Sequence, residues 1–199
     1  AVLAVSSAQA EIARGSFGHA QTALDLAGDL GDAKTLAPLT PLLTHHDARL
    51  RFHAAVALSR VTGGDDAANV IFAELDNMPH DRLGHAASTL ARVKEPPIRA
   101  KLLPRILERA KGADPNVALA MASVHLAWDP ETGFFRMLEA LGSPARVDRD
   151  LAERYLIADS QPIVTELLRR ALARDGRDIV QGHLRRILDL KANTKAPSF

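Results

Sequence analysis

The chain has 199 residues, a formal net charge of +1 and no cysteine. Disulfides, thiolate catalysis and zinc–thiolate sites are thereby excluded, and no overall field draws in nucleic acid or an acidic membrane. Hydrophobic residues make up 47% and aromatics only 4%, so the core is aliphatic, as suits closely packed helices rather than a β-sandwich.

The first ten residues read AVLAVSSAQA. Val2, Leu3, Val5, Ala8, Ile12 and Ala13 fall on one helical face. We read residues 1–16 as a capping helix or half-repeat. The competing reading is the end of a signal peptide with an Ala-x-Ala site at Ala8 and Ala10. The compartment is not fixed by the sequence; a cytoplasmic location is favoured, and export follows if residues 1–10 are the end of a signal peptide. No apolar run reaches the ~18 residues that a membrane-crossing helix needs.

After this segment the chain repeats itself. Six apolar stretches end on Leu24, Leu58, Leu90, Leu126, Leu156 and Leu188, spaced 34, 32, 36, 30 and 32 residues apart. A drifting period in the low thirties fits paired helices joined by loops of varying length. ALDLAGDLGDAKTLAPLTPLL, from Ala23, aligns without a gap on ALSRVTGGDDAANVIFAELDN, from Ala57. In each copy a helix is expected to stop at glycine, Gly28 in one and Gly63-Gly64 in the other. Asp32 or Asp66 then supplies an N-cap oxygen. Leu36 and Leu39, or Val70 and Ala73, return at helical spacing. Pro38, Pro41 and Pro104 should bend or delay the second helices.

Further along, the pattern predicts helices over Arg82–Val93, Pro97–Ala110, Asn116–Ala127, Glu131–Leu141, Arg146–Ala158, Pro162–Arg174 and Asp178–Leu190. The breaks fall at Glu95-Pro96-Pro97, Gly112-Ala113-Asp114-Pro115, Asp129-Pro130, Gly142-Ser143-Pro144 and Gly176. The expected architecture is all-α, a right-handed superhelix of about six helical hairpins in a single domain over 1–199. Its repeats cover 17–47, 48–79, 80–112, 113–143 and 144–176, with a terminal helix over 177–191 and a tail over 192–199.

The two aligned segments, with LRFHAAVALSRVTGGDDAANVIFAEL, resemble short HEAT repeats of the type found in phycobilisome lyases. The resemblance is good over Gly18–Asp76 and partial to Leu190. It implies a HEAT-like, armadillo-like solenoid, and it says nearly nothing about chemistry.

Histidine carries the most chemical pattern. The residues five before each anchor are His19, His53, His85, Met121, Leu151 and His183, so four of the eight histidines share one repeat position. A metal or proton site is one reading. HEAT-repeat iron hydroxylases carry His-Glu pairs, and this sequence has none. Helices stacked about 10 Å apart also hold imidazoles too far apart for bonds of about 2.0–2.1 Å to one ion. We therefore read the four as structural, an inter-helix hydrogen bond repeated by duplication. His45-His46-Asp47 is read as a solvated turn rather than a chelate, and His80-Asp81 and Asp65-Asp66 as capping turns.

Trp128-Asp129 resembles part of the Trp, Asp and Arg set of alkylpurine DNA glycosylases, which are HEAT-like. A single Trp and a single Tyr are too few aromatics to cradle a base, so Trp128 is expected to close a helix end. Phe134 and Phe135 are expected in the core. GxGxxG, GxxxxGK[ST], GxSxG and HExxH are all absent. No catalytic, cofactor-binding or metal-binding residue is assigned.

From Ser160 onward eight Lys or Arg face four acids. Arg169, Arg170, Arg185 and Arg186 form a candidate basic surface. The expected function is a protein-interaction or scaffold module without catalysis, binding a protein or peptide on its surface. The alternatives are an accessory subunit resembling the bilin lyases and a nucleic-acid-binding protein.

Overall fold

The structure is a computed structural model that describes residues 1–60 and 65–194. The side chains at 65, 80, 81 and 194 are outside that description. Gly63 and Gly64, the side chains of His80 and Asp81, and the last five residues of the tail therefore lie outside the described residues.

Two compact units are present, Ala1–Arg109 and Ala110–Phe199. Unit 1 begins with α1 (Val2–Ala13) and α2 (Phe17–Leu30). α3 (Ala33–Leu36) then runs into a 3₁₀ helix over Ala37–Thr44. α4 (Ala48–Ser59), α5 (Asp65–Asn77), α6 (His80–Leu90) and α7 (Pro96–Ala110) follow. Unit 2 holds α8 (Pro115–Trp128), α9 (Pro130–Leu141), α10 (Arg146–Ala158), α11 (Pro162–Arg174) and α12 (Asp178–Thr194). The fold is all-α and HEAT-like, and no strand occurs among the described residues. In unit 1, α2 packs on α1 and α4, and α4 packs on α5 and the 3₁₀ helix. In unit 2, α8, α10 and α12 form one row, and α9 and α11 form a second row against it.

The repeat anchors explain this packing. Leu24, Leu90 and Leu156 are wholly buried and Leu58 and Leu126 nearly so, each on the first helix of a hairpin. Burying one such side chain contributes about 1.5–3 kcal/mol. In unit 2 a single cluster joins Leu126, Met137, Leu156, Leu168 and Leu184, with Leu188 packed at its edge.

Helix starts follow their caps. Asp32 accepts from the Thr35 N–H, Asp47 from those of Arg49 and Leu50, and Asp114 from those of Asn116 and Val117. Pro115, Pro130 and Pro162 sit in first turns, where a missing N–H costs nothing. Pro38 and Pro41 shorten α3 to one turn and convert its continuation to 3₁₀. Gly112 takes a positive φ of 67°, which ends the α7–α8 turn in a conformation glycine adopts without strain.

Four expectations need correction. α2 does not stop at Gly28 but runs on to Leu30. Gly28 is there for packing, because a Cβ would lie 2.9 Å from the Ala57 Cα of α4. Asp66 lies inside the first turn of α5, not at its cap. The buried face of α5 is Ala67, Ala68, Ile71 and Leu75 rather than Val70 and Ala73. The offset of 34 pairs a 3₁₀ segment of three residues per turn with an α-helix of 3.6, so the faces drift out of register. In α1, Ala4, Val5 and Ala8 are buried, while Val2 and Leu3 are exposed.

Candidate functional site

The repeated histidines lie on the first helices of their hairpins. His53 on α4 meets Asp25 on α2, Nδ1 to Oδ1, at 2.8 Å. His183 on α12 meets Glu153 on α10, Nδ1 to Oε2, at 2.9 Å. His19 on α2 is largely exposed, its Nδ1 3.7 Å from Glu11 on α1. Each of these three sits beside a carboxylate on the preceding first helix, or on α1 in the case of His19. His85 on α6 has no such acid, because the residue 28 before it is Ala57.

Unit 1 carries a groove of about 440 Å³ along α2, α4 and α6, bordered by Asp25, Arg49, His53, Arg82, His85 and Thr89. Below it, Asp29 on α2 is paired with both Arg60 and Arg92. Partial burial works to raise the Asp29 carboxyl, but the two guanidinium groups hold it below the usual carboxylate range. Among the described residues no group of three or more His, Asp or Glu side chains is placed to hold a metal ion.

The His45-His46-Asp47 turn is occupied by structural bonds. Asp47 caps α4, and its own N–H donates to His45 Nδ1 at 3.1 Å. The two imidazoles stack at 4.2 Å between centroids, with Phe17 edge-on to both.

Unit 2 carries a second groove, of about 410 Å³, between the second helices α9 and α11. Phe134 is buried as expected, but Phe135 is 66% exposed and lines this groove with Leu138 and Leu167. Adjacent residues on a helix point about 100° apart, so one of the pair enters the core while the other leaves it. Arg170 and Arg174 border the groove on one side and Glu131 on the other.

The four arginines of the candidate basic surface are exposed but face different neighbours. Arg169 and Arg170 share Glu166, at 3.9 and 3.0 Å. Arg185 donates to Gln181. Arg186 pairs with the buried Glu153 of α10 at 2.9 Å, the carboxylate that also holds His183. Arg170 thus borders the α9–α11 groove, while Arg186 is turned to α10. Trp128 is half-buried at the end of α8.

Two features, the first of them recurrent, escaped the sequence reading. Arg51 donates to the carbonyls of His45 and His46, and Arg149 to those of Ser143 and Pro144. Gln181 donates to the carbonyl of Asp175. All three lie seven residues before an anchor, so the side chain of the first helix ties down the loop that precedes it. Counting back seven instead of five would have found them. The second feature is Lys191, a buried ammonium that donates to the carbonyls of Leu156, Ile157 and Asp159.

The family model of HEAT repeats matches residues 10–91. No curated protein and no solved structure gives a significant match.

Proposed function

The chain carries HEAT repeats, and from that premise we propose that it is a protein-interaction module that binds a partner segment in the α9–α11 groove. Repeats of this kind generally serve as interaction scaffolds, because stacked hairpins expose extended surfaces. The observation that carries this reading is Phe135. An aromatic ring left 66% exposed over an apolar floor has the character of an interface anchor. Arg174 on one rim and Glu131 on the other select a segment that carries apolar anchors flanked by charges of both signs.

The test is capture from source extract with the whole chain as bait, compared with Phe135→Ser and Arg174→Glu. Both positions are exposed, so the fold is kept. One stoichiometric protein partner, lost with either variant and retained by Arg185→Glu, is the expected result. Capture unchanged by Phe135→Ser sinks the groove. A coloured, tetrapyrrole-bearing preparation would point to the bilin-lyase reading instead. Heparin retention that collapses with modest salt would point to nucleic acid.

A further inference from the structure

The groove of unit 1 differs in chemistry from that of unit 2, and it is polar. Residues three and four apart share a helix face, so α6 presents Arg82, His85 and Thr89 on one side. α4 presents Arg49 and His53, and α2 presents Asp25. The charges do not balance. Asp25 is occupied by His53 at 2.8 Å, with Arg92 at 4.0 Å. Arg49 is turned to Asp47 at 3.0 Å. The side chains of Arg82 and His85 have no hydrogen-bond or ion-pair partner among the described residues. A guanidinium and an imidazole therefore stand side by side over about 440 Å³ of open space, and the one acid that lines it among the described residues is already engaged.

We propose that this groove binds a phosphomonoester group. The guanidinium fork of Arg82 takes two phosphate oxygens in parallel hydrogen bonds. His85, one turn along the same face, donates to the third oxygen. A carboxylate has only two oxygens and one charge and leaves His85 unused, whereas a phosphate has three acceptor oxygens and nearly two charges. The volume admits the group together with the residue or small molecule that bears it. His53, held by Asp25, and the buried Phe52 form the back wall. The groove lies in unit 1, so this inference stands or falls apart from the Phe135 groove.

The test is a titration of the full chain with O-phospho-L-serine, followed by the histidine ring resonances. Arg82→Gln, His85→Gln and, as a control in unit 2, Arg169→Gln are titrated alongside. The altered side chains are exposed, and an unchanged backbone spectrum verifies their fold. A saturable shift of the His85 ring is expected in the parent chain. Affinity should fall about tenfold or more in Arg82→Gln and stay unchanged in Arg169→Gln. A phosphoserine heptapeptide that binds more tightly than free phosphoserine assigns the phosphate to a peptide; equal affinity assigns it to a small metabolite. Either result supports the site. Absence of a saturable shift at millimolar phosphoserine overturns it, as does equal affinity in Arg82→Gln. Equal binding of the unphosphorylated heptapeptide overturns it too, and so does tighter binding of a single-stranded oligonucleotide than of the phosphopeptide.

Discussion

His125 shows what one buried polar residue does to a core of this composition. It sits on α8 at 4% exposure. Its Nδ1 has no partner among the described residues, and Nε2 is 3.9 Å from Asp129. Burial pushes the imidazole below its ordinary value, more than Asp129 raises it. The unfolded chain therefore takes up the proton first. The stability contribution is complete above about pH 6.5 and is lost as pH falls toward the folded value. His125→Gln should flatten the urea-unfolding stability of unit 2 between about pH 7 and 5. The aspartates act in a lower window. Arg49 and Arg177 hold Asp47 and Asp175 below the carboxylate range, and the Thr35 N–H holds Asp32 there. Their contribution is present above about pH 4 and goes as pH falls further. A parent chain whose stability is already flat from pH 7 to 5 would contradict the assignment to His125. Two glycines give opposite predictions at the same scale. A Cβ at Gly133 would run into the backbone N and Cα of Leu126, so Gly133→Ala should cost about 2–3 kcal/mol. Gly182, in the interior of α12, has nothing within 4 Å, so Gly182→Ala should stabilise by about 0.5–1 kcal/mol. Chemical denaturation of both variants checks the pair of signs.

Among the elements, α10 and α12 are joined by polar ties as well as by the aliphatic cluster. Glu153 receives His183 and Arg186 from α12. Lys191, from the last turns of α12, reaches the carbonyls at the C-terminus of α10, where a cation answers the unpaired acceptors and the helix dipole. Lys191→Met keeps the apolar stem and removes the ammonium. It should cost about 1–3 kcal/mol and speed amide exchange in the last turn of α10. Unchanged exchange there would mean that water serves those carbonyls equally well. Much at this scale was legible beforehand. Asp114-Pro115 and Asp129-Pro130 mark α8 and α9 because a cap and a first-turn proline act locally, Pro162 alone marks α11, and the interruption of the second helix at Pro38 and Pro41 is equally local. The meaning of Gly28 was not legible. A glycine ends a helix or admits a neighbour, and only the position of Ala57 decides between them. The histidine ladder was visible as a period, but its partners were not. Asp25 lies one residue after its anchor and Glu153 three before, so the two acids share no repeat position. Phe135 was misplaced for a related reason, since adjacent aromatics do not say which of them faces inward.

For the molecule as a whole, each unit contains its own buried core, Ala4 to Ile106 in one and Val117 to Ile187 in the other. In repeat proteins stability is close to a sum of each repeat and its nearest-neighbour interfaces. About three repeats suffice for an independent fold. Unit 1 has α1 and three hairpins; unit 2 has two hairpins and α12, latched by Lys191 and Glu153. Cutting the chain between Arg109 and Ala110 should therefore leave two helical fragments, the second less stable because a small domain buries a smaller fraction of its surface. Far-ultraviolet circular dichroism with a urea titration of each fragment checks this. A cooperative transition in both is expected. A second fragment that is helical but melts without cooperativity would show that its core depends on the rest of the chain. The outcome bears on function, because the two proposed grooves then become separable. Phosphoserine should bind the first fragment alone, and the partner that depends on Phe135 should bind the second alone. Binding that needs both fragments together would move the site away from either groove.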